Sequence, residues 1–391
     1  DESKLPPGLQ GFTPLAKQPA VVTATDACKA LEAAVAADPA STAAVEALRR
    51  HAEMQLQPAI TAAIDVQLAT EGILTSCDKA IEAGGGFDQM YTSTFEGTIK
   101  PGEGAGLTQL ATEVKLIELP PPEACTQAIA DPVVLFADAA RVRKLARAAM
   151  EAVAKLAPKG VALQKQGPLK KMARILEKIS LRPGGGRGKA ERVCDIVRDM
   201  FLAQSMEDIA ATVRLLRESG VVEIVRVKDR FTTPSAGGWR DVMINYRLKG
   251  DAHVCEVQIC HNSLIVARKH LPGHVIYGRV RNSSELLERC GLLDEGNRLS
   301  REVRSLLALS EHEGAERVAR LLGEMLASPE AGVRSAVVRS LGELDASSLA
   351  QHAAAIVGKL EDSAVGVRKV ALATLGKLDA ASLAQHAAAV V

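Results

Sequence analysis

A chain of 391 residues has room for two or three domains with sizeable cores, and 24% charged and 47% hydrophobic residues are the proportions of an ordinary globular protein. A net charge of +1 gives no global field that would recruit nucleic acid or an anionic membrane, and no apolar run reaches the roughly 20 residues a membrane helix needs. Seven cysteines scattered singly at 28, 77, 125, 194, 255, 260 and 290 argue for reduced thiols and a cytoplasmic compartment, although a chain that begins at Asp1 leaves a removed leader open.

Residues 1–22 hold Pro6-Pro7, Gly8, Gly11 and Pro14 without a sustained period, the pattern of a flexible arm. Residues 23–157 are rich in Ala, Leu, Glu and Gln with apolar positions three or four apart, which predicts an α-helical region broken near Asp38-Pro39. Within it GGGFDQMYTSTFEGTIKPGEGAG predicts a glycine-rich loop, followed by a helical stretch between about Pro121 and Ala157. None of these residues forms a catalytic pattern.

The character changes over residues 158–290. A basic helix in LKKMARILEKI and a glycine-rich loop lead to a strand around 193–201, and a helix follows over 205–219, where Met206, Ile209, Val213 and Leu216 recur at helical spacing. Strands are predicted at 221–229, 240–248 and 252–260, the last two flanking a Lys249-Gly250-Asp251 turn as a hairpin. Strand alternation puts Glu256 and Gln258 on one face and Val257 and Ile259 on the other. His253, His261, His270 and His274 lie around the last strand and the helix after it, without a metal-ligand spacing.

Residues 291–391 return to helix and repeat themselves. GVRSAVVRSLGELDASSLAQHAAAIVGKLEDSA from Gly332 is echoed by GVRKVALATLGKLDAASLAQHAAAVV from Gly366, 34 residues on, with a looser copy at 322–325. Helix pairs that repeat at such a period must stack to bury their apolar faces, which predicts a C-terminal α-solenoid. The Val-Arg opening and the recurring Leu-Gly-(Glu/Lys)-Leu resemble HEAT-type repeats, whose usual role is to recruit a protein partner. An end on Val390-Val391 without a polar cap is what a truncated array would show. The fold class is therefore multidomain α and α/β.

Five short motifs in order, LKKMARILEKI, VCDIV, VRVKDRF, GGWRD and CEVQI, resemble the synthetase domain of the RelA/SpoT family over about a third of the chain. Members of that family transfer pyrophosphate from ATP to the 3′-hydroxyl of GDP or GTP. The resemblance implies a mixed-sheet nucleotidyltransferase-like domain that binds purine nucleotides with Mg²⁺. It places Asp195 and Glu256 as metal-binding and catalytic carboxylates, Trp239 where a tyrosine stacks on guanine, and Lys170, Lys178 and Arg174 beside the ATP phosphates. Arg240 could meet a phosphate, and Asp229 and Gln258 complete the nucleotide-binding set. Phosphoryl chemistry asks for such groups, because hard oxygen ligands hold the ion and positive charge holds the phosphates.

The pattern is incomplete. Pro168 stands where the family has an arginine, Arg174 where it has a serine, Arg198 and Met200 where it has a glycine and an arginine, and Met243 where it has a histidine. Each residue also has a plainer reading: Glu256 as a solvent-facing strand residue, the lysines as a solvated helix face, Trp239 as core. The competing function is a catalytically degenerate scaffold that binds protein partners through its repeats.

Overall fold

In the computed structural model the described residues are 12–70, 76–77, 80, 89–121, 124–181, 189–235, 238–269, 273–289 and, between 322 and 384, all but 324, 329–330, 343 and 345–348. The N-terminal helices follow from their caps. α1 (Pro19–Ala37) starts on a proline, and α2 (Thr42–His51) on Ser41, whose Oγ accepts from Ala44 N at 3.2 Å. α2 runs through a π turn at Ala52–Leu56 into α3 (Gln57–Ala69).

The predicted glycine-rich loop is largely helical where it is described. Residues 89–102 carry Tyr91, Phe95 and Ile99 four apart, all buried, and Gly104–Lys115 forms α4. Burial of this stripe outweighs the weak helix propensity of glycine. At Gly106 the glycine is needed, since a Cβ there would lie 2.7 Å from Glu207 N. α5 (Pro132–Leu156) begins at Asp131, whose Oδ1 accepts from Val133 N and Val134 N, each at 2.9 Å. Residues 124–131, predicted as helix, are instead a loop that grips the sheet.

The sheet is built from β1 (Val161–Leu163), β2 (Arg198–Ala203), β3 (Val222–Asp229), β4 (Val242–Leu248) and β5 (Val254–His261), in the order β1-β2-β5-β4-β3. Only β2 and β5 run parallel among neighbouring pairs. α6 (Met172–Leu181) precedes β2. α7 (Met206–Glu218), capped by Ser205, crosses the sheet from β2 to β3 at the far edge. α8 (Asn262–Lys269) and α9 (Gly273–Arg289) follow β5. The predicted hairpin is β4–β5, with Gly250 at φ 81° in the turn and Asp251 N donating to Leu248 O at 2.9 Å.

The strand predicted from residue 193 begins only at Arg198, so Asp195 lies on the approach to it. The approach is docked by single bonds rather than a ladder: Lys170 N to Ile196 O (3.1 Å), Glu256 N to Val197 O (3.0 Å) and Asn245 Nδ2 to Cys194 O (3.0 Å). Buried Gln127 adds a clamp. Its Nε2 donates to Val193 O (3.2 Å) and Val254 O (2.9 Å), and its Oε1 accepts from Val254 N (2.8 Å).

The chain divides into two compact units, 1–283 and 284–391. In the first, the N-terminal helices and the sheet share one body: Arg147 of α5 pairs with buried Asp199 of β2 at 2.9 Å. In the second, α10 (Ala331–Leu341), α11 (Ala353–Val357), α12 (Val365–Leu375) and α13 (Ala380–Ala384) are described, and α10 packs against α12. Arg334 holds Asp362 through two bonds of 2.7 Å and donates to Ser328 O at 2.7 Å; 34 residues on, Arg368 donates to Asp362 O at the same distance. The sequence repeat thus has a repeated contact. The part of the predicted array from 291 to 321 lies outside the described residues. No helix among the described residues is long and apolar enough to cross a membrane.

Gln127→Ala would leave the Val254 N–H and two carbonyls without their partner. At roughly 1–3 kcal/mol per buried orphan, urea unfolding should show a loss of at least about 3 kcal/mol, and a loss under about 1 kcal/mol would show that the clamp does not carry the approach to β2.

Candidate functional site

The centre of the site is one carboxylate oxygen. Lys170, in the irregular segment before α6, and Lys178, two turns into the helix, bring Nζ atoms to 2.6 and 2.7 Å from the same Oδ2 of Asp195. The shared helix face expected for Lys170 and Lys178 is not what brings them together, since Lys170 lies two residues before α6 and meets Lys178 only at Asp195. Lys170 has a side chain only 9% exposed. Burial outweighs its attraction to Asp195 and lowers its pKa to about 7. Asp195 feels the opposite balance: burial opposes its charge, but Lys178 and Lys170 together hold its carboxyl far below the ordinary carboxylate range. Its second oxygen, Oδ1, is buried and has no hydrogen-bond partner.

Cross-strand register sets what lies beside this trio. Arg198 and Asn245 flank Glu256, Met200 and Met243 flank Gln258, and Arg226 and Lys228 oppose Asn245 and Met243, so these side chains share one sheet face. Glu256 is buried and accepts from Gln258 Nε2 at 3.0 Å. Burial, then repulsion from Asp195, raises its pKa against the pull of Lys178, Lys170 and Arg230. The face is therefore basic along its open edges, at exposed Arg198 and Lys228 and half-buried Arg226, with one buried carboxyl at its middle.

Trp239 stands at the β4 end of the same region, half-buried. Its Nε1 donates to Asp241 Oδ2 at 2.9 Å, and Asp241 Oδ1 accepts from Arg230 Nη1 at 3.0 Å. Arg230 Nη2 reaches Met243 Sδ at 3.4 Å, tying the indole to the Glu256 face. Tyr91 meets the indole edge-on at 5.2 Å, and the Arg268 guanidinium of α8 lies 5.2 Å from its centroid. The indole is thus partly in use as packing and partly presented to a cation.

Other predicted residues fall elsewhere. Arg240 is buried, donates to Phe231 O at 2.6 Å and covers the Phe95 ring at 4.3 Å, so it serves the core rather than a phosphate. Asp229 closes the turn after β3, accepting from Phe231 N at 2.9 Å and Thr232 Oγ1 at 2.6 Å. Arg174 pairs with buried Glu177 on α6. His253 and His261 bind Asp138 (2.8 Å) and Glu103 (3.2 Å) on different elements; His270 and the side chain of His274 lie outside the described residues. Sequence reasoning missed Arg226, Arg268, Tyr91 and Gln127. Only Tyr91 left a signal, the four-residue spacing to Phe95 and Ile99. A separate cavity of about 420 Å³ between α5 and the hairpin turn has its charges closed on one another, Arg141 with Asp138 and Asp251.

As an ion site the arrangement does not fit a bare divalent cation. Asp195 Oδ2 already carries two ammoniums, and among the described residues no group of three or more His, Cys, Asp or Glu could hold a metal. Comparison of the chain with protein-family models, curated proteins and solved structures finds no match.

Because the Lys170 pKa is lower in the fold than the ordinary 10.5, the unfolded chain binds more protons between about pH 7 and 10.5. Stability should therefore rise with pH across that window, being fully present above it and lost as pH falls through about 7. Urea unfolding at pH 7 and pH 9.5 should show wild type gaining on Lys170→Met between the two; parallel behaviour would mean that Lys170 keeps its ordinary affinity for protons.

Proposed function

We propose that the Lys170–Asp195–Lys178 trio and the sheet face around Glu256 form a RelA/SpoT-like cleft for purine nucleotides, ATP with GDP or GTP, in which the lysines receive the phosphates and Trp239 receives a base. The observation that carries this reading is the convergence of buried Lys170 and half-buried Lys178 on one oxygen of half-buried Asp195 beside a basic sheet face. A partly buried lysine–carboxylate cluster has little stability advantage over apolar side chains of similar size, whereas a polyphosphate is held by this geometry of point charges. The order of the five sequence motifs supports the same reading.

Binding without efficient pyrophosphate transfer is the form the observations favour. Pro168, Met200 and Met243 replace charged or basic groups of the family pattern, and the structure offers Arg240 and Arg174 to the core and to Glu177 rather than to the cleft. Losing one stabilising contact in such a site costs roughly 10²–10³ in rate. For the second unit, the 34-residue sequence repeat and its resemblance to HEAT-type repeats support a solenoid that recruits a protein partner. A scaffold alone is the competing reading.

Trp239 is the single tryptophan, which makes its fluorescence a specific reporter. Titration with ATP, GDP and GTP in Mg²⁺ should quench it saturably, and Lys178→Met should weaken that binding by about tenfold or more. Incubation with labelled ATP and GDP or GTP should give little or no transferred pyrophosphate. Robust transfer would overturn the argument from the motif departures; no binding of any of the three nucleotides would leave the scaffold.

A further inference from the structure

Cys125 and Cys194 are 69 residues apart in the chain, yet both are free thiols of one buried cluster with Val225 and Val254. Cys194 Sγ lies 3.5 Å from Cys125 O, and the two thiols are within hydrogen-bond reach of each other. They meet where the loop 124–131 grips the segment leading to β2. Arg247 Nη2 donates to Ala124 O at 2.8 Å and to Thr126 O at 3.1 Å, on either side of Cys125. Arg226 Nε donates to Asn245 Oδ1 at 2.9 Å, and Asn245 Nδ2 donates to Cys194 O at 3.0 Å. Two guanidiniums thus stand beside the pair, the electropositive setting in which a cysteine is held as the reactive thiolate.

Burial governs three other thiols and pushes up Cys28, Cys255 and Cys260. They stay protonated and slow to react. Cys125 goes the other way: the hydrogen bond from Cys194, then Arg226, Arg247 and Lys228, hold its thiol below the ordinary range against burial. Cys125 also keeps 6% exposure against 3% for Cys194, so it is the member of the pair that a small oxidant meets first.

We propose that Cys125 and Cys194 form a redox-sensitive pair that hydrogen peroxide closes to a disulfide, tying the loop 124–131 to the residue before Asp195. The Cys125 thiolate attacks one peroxide oxygen and the O–O bond breaks, leaving a sulfenic acid on Cys125 and a hydroxide ion. The Cys194 sulfur then attacks the Cys125 sulfur, the S–O bond breaks, and the oxygen leaves with the Cys194 proton as water. The pair gives two electrons to the peroxide, and a dithiol restores both thiols by exchange. The bond needs no ligand at the Glu256 face, so it stands whether or not a nucleotide binds there.

Peptide mapping of the native full chain tests the pair: brief exposure to hydrogen peroxide, removal of the excess with catalase, alkylation by N-ethylmaleimide in denaturant, digestion and mass spectrometry. The map should hold a linked Cys125–Cys194 peptide, lighter by two hydrogens than its reduced halves and cleaved by dithiothreitol. Cys28, Cys255 and Cys260 should stay open to the maleimide at peroxide doses at least about tenfold higher. In Cys194→Ser, Cys125 should stop at a sulfenic acid that dimedone traps, and in Cys125→Ser, Cys194 should stay reduced. A wild-type map with Cys125 and Cys194 both alkylated after peroxide overturns the proposal, and so does Cys125 joined to any other cysteine. The wild-type map decides by itself even where a serine variant fails to fold.

Discussion

Two ammonium groups share one carboxylate oxygen at Asp195, and the arrangement of the first unit is organised around keeping them there. Taking three charges out of water costs several kcal/mol per ion unless each finds its partner in good geometry. The partner geometry is secured from every side. Lys178 is oriented by α6, Lys170 by its backbone bond to Ile196, and the Asp195 segment by Gln127 and Asn245 through carbonyls at Val193 and Cys194. Removing one charge would strand another, which makes the trio a constraint on the neighbouring elements and not merely their product.

The sheet face around Glu256 has two ends of different chemistry. At the β2–β5 end, parallel pairing sets Arg198 beside Glu256, so charge dominates. At the β4 end, the helical stripe of Tyr91 and Phe95 packs on Trp239, Phe231 and Arg240, so aromatic surface dominates. Asp241 and Arg230 join the ends by hydrogen bonds. In line with that division, Arg240, one residue from Trp239, turns into the core while Arg230 turns towards the sheet face.

Much of the sheet is legible in the sequence, because alternation and a turn glycine act locally. The β4–β5 hairpin, the α7 helix and the placement of Glu256 with Gln258 all follow from period and from Gly250. What local pattern cannot supply is the partner. Asp195 reads as a strand residue because Val193, Ile196 and Val197 are β-branched, yet its segment is held by side chains from far along the chain. Arg240 beside an aromatic reads as a phosphate ligand until Phe95 is found over it, and Phe95 lies in a stretch whose glycines masked its helical spacing. The pairing of both lysines with one oxygen was likewise out of reach, since spacing on α6 gives a shared face and no acceptor.

The central claim is that these two lysines exchange Asp195 for phosphate. Lysine ¹⁵Nζ and ¹³Cε resonances of the full chain, assigned to Lys170 and Lys178 by their loss in the methionine variants, read that exchange at the atoms concerned. Both resonances should shift together on addition of Mg²⁺·ATP and stay unmoved with Mg²⁺ alone. Lysine signals that ignore the nucleotide while it binds elsewhere on the chain would contradict the account.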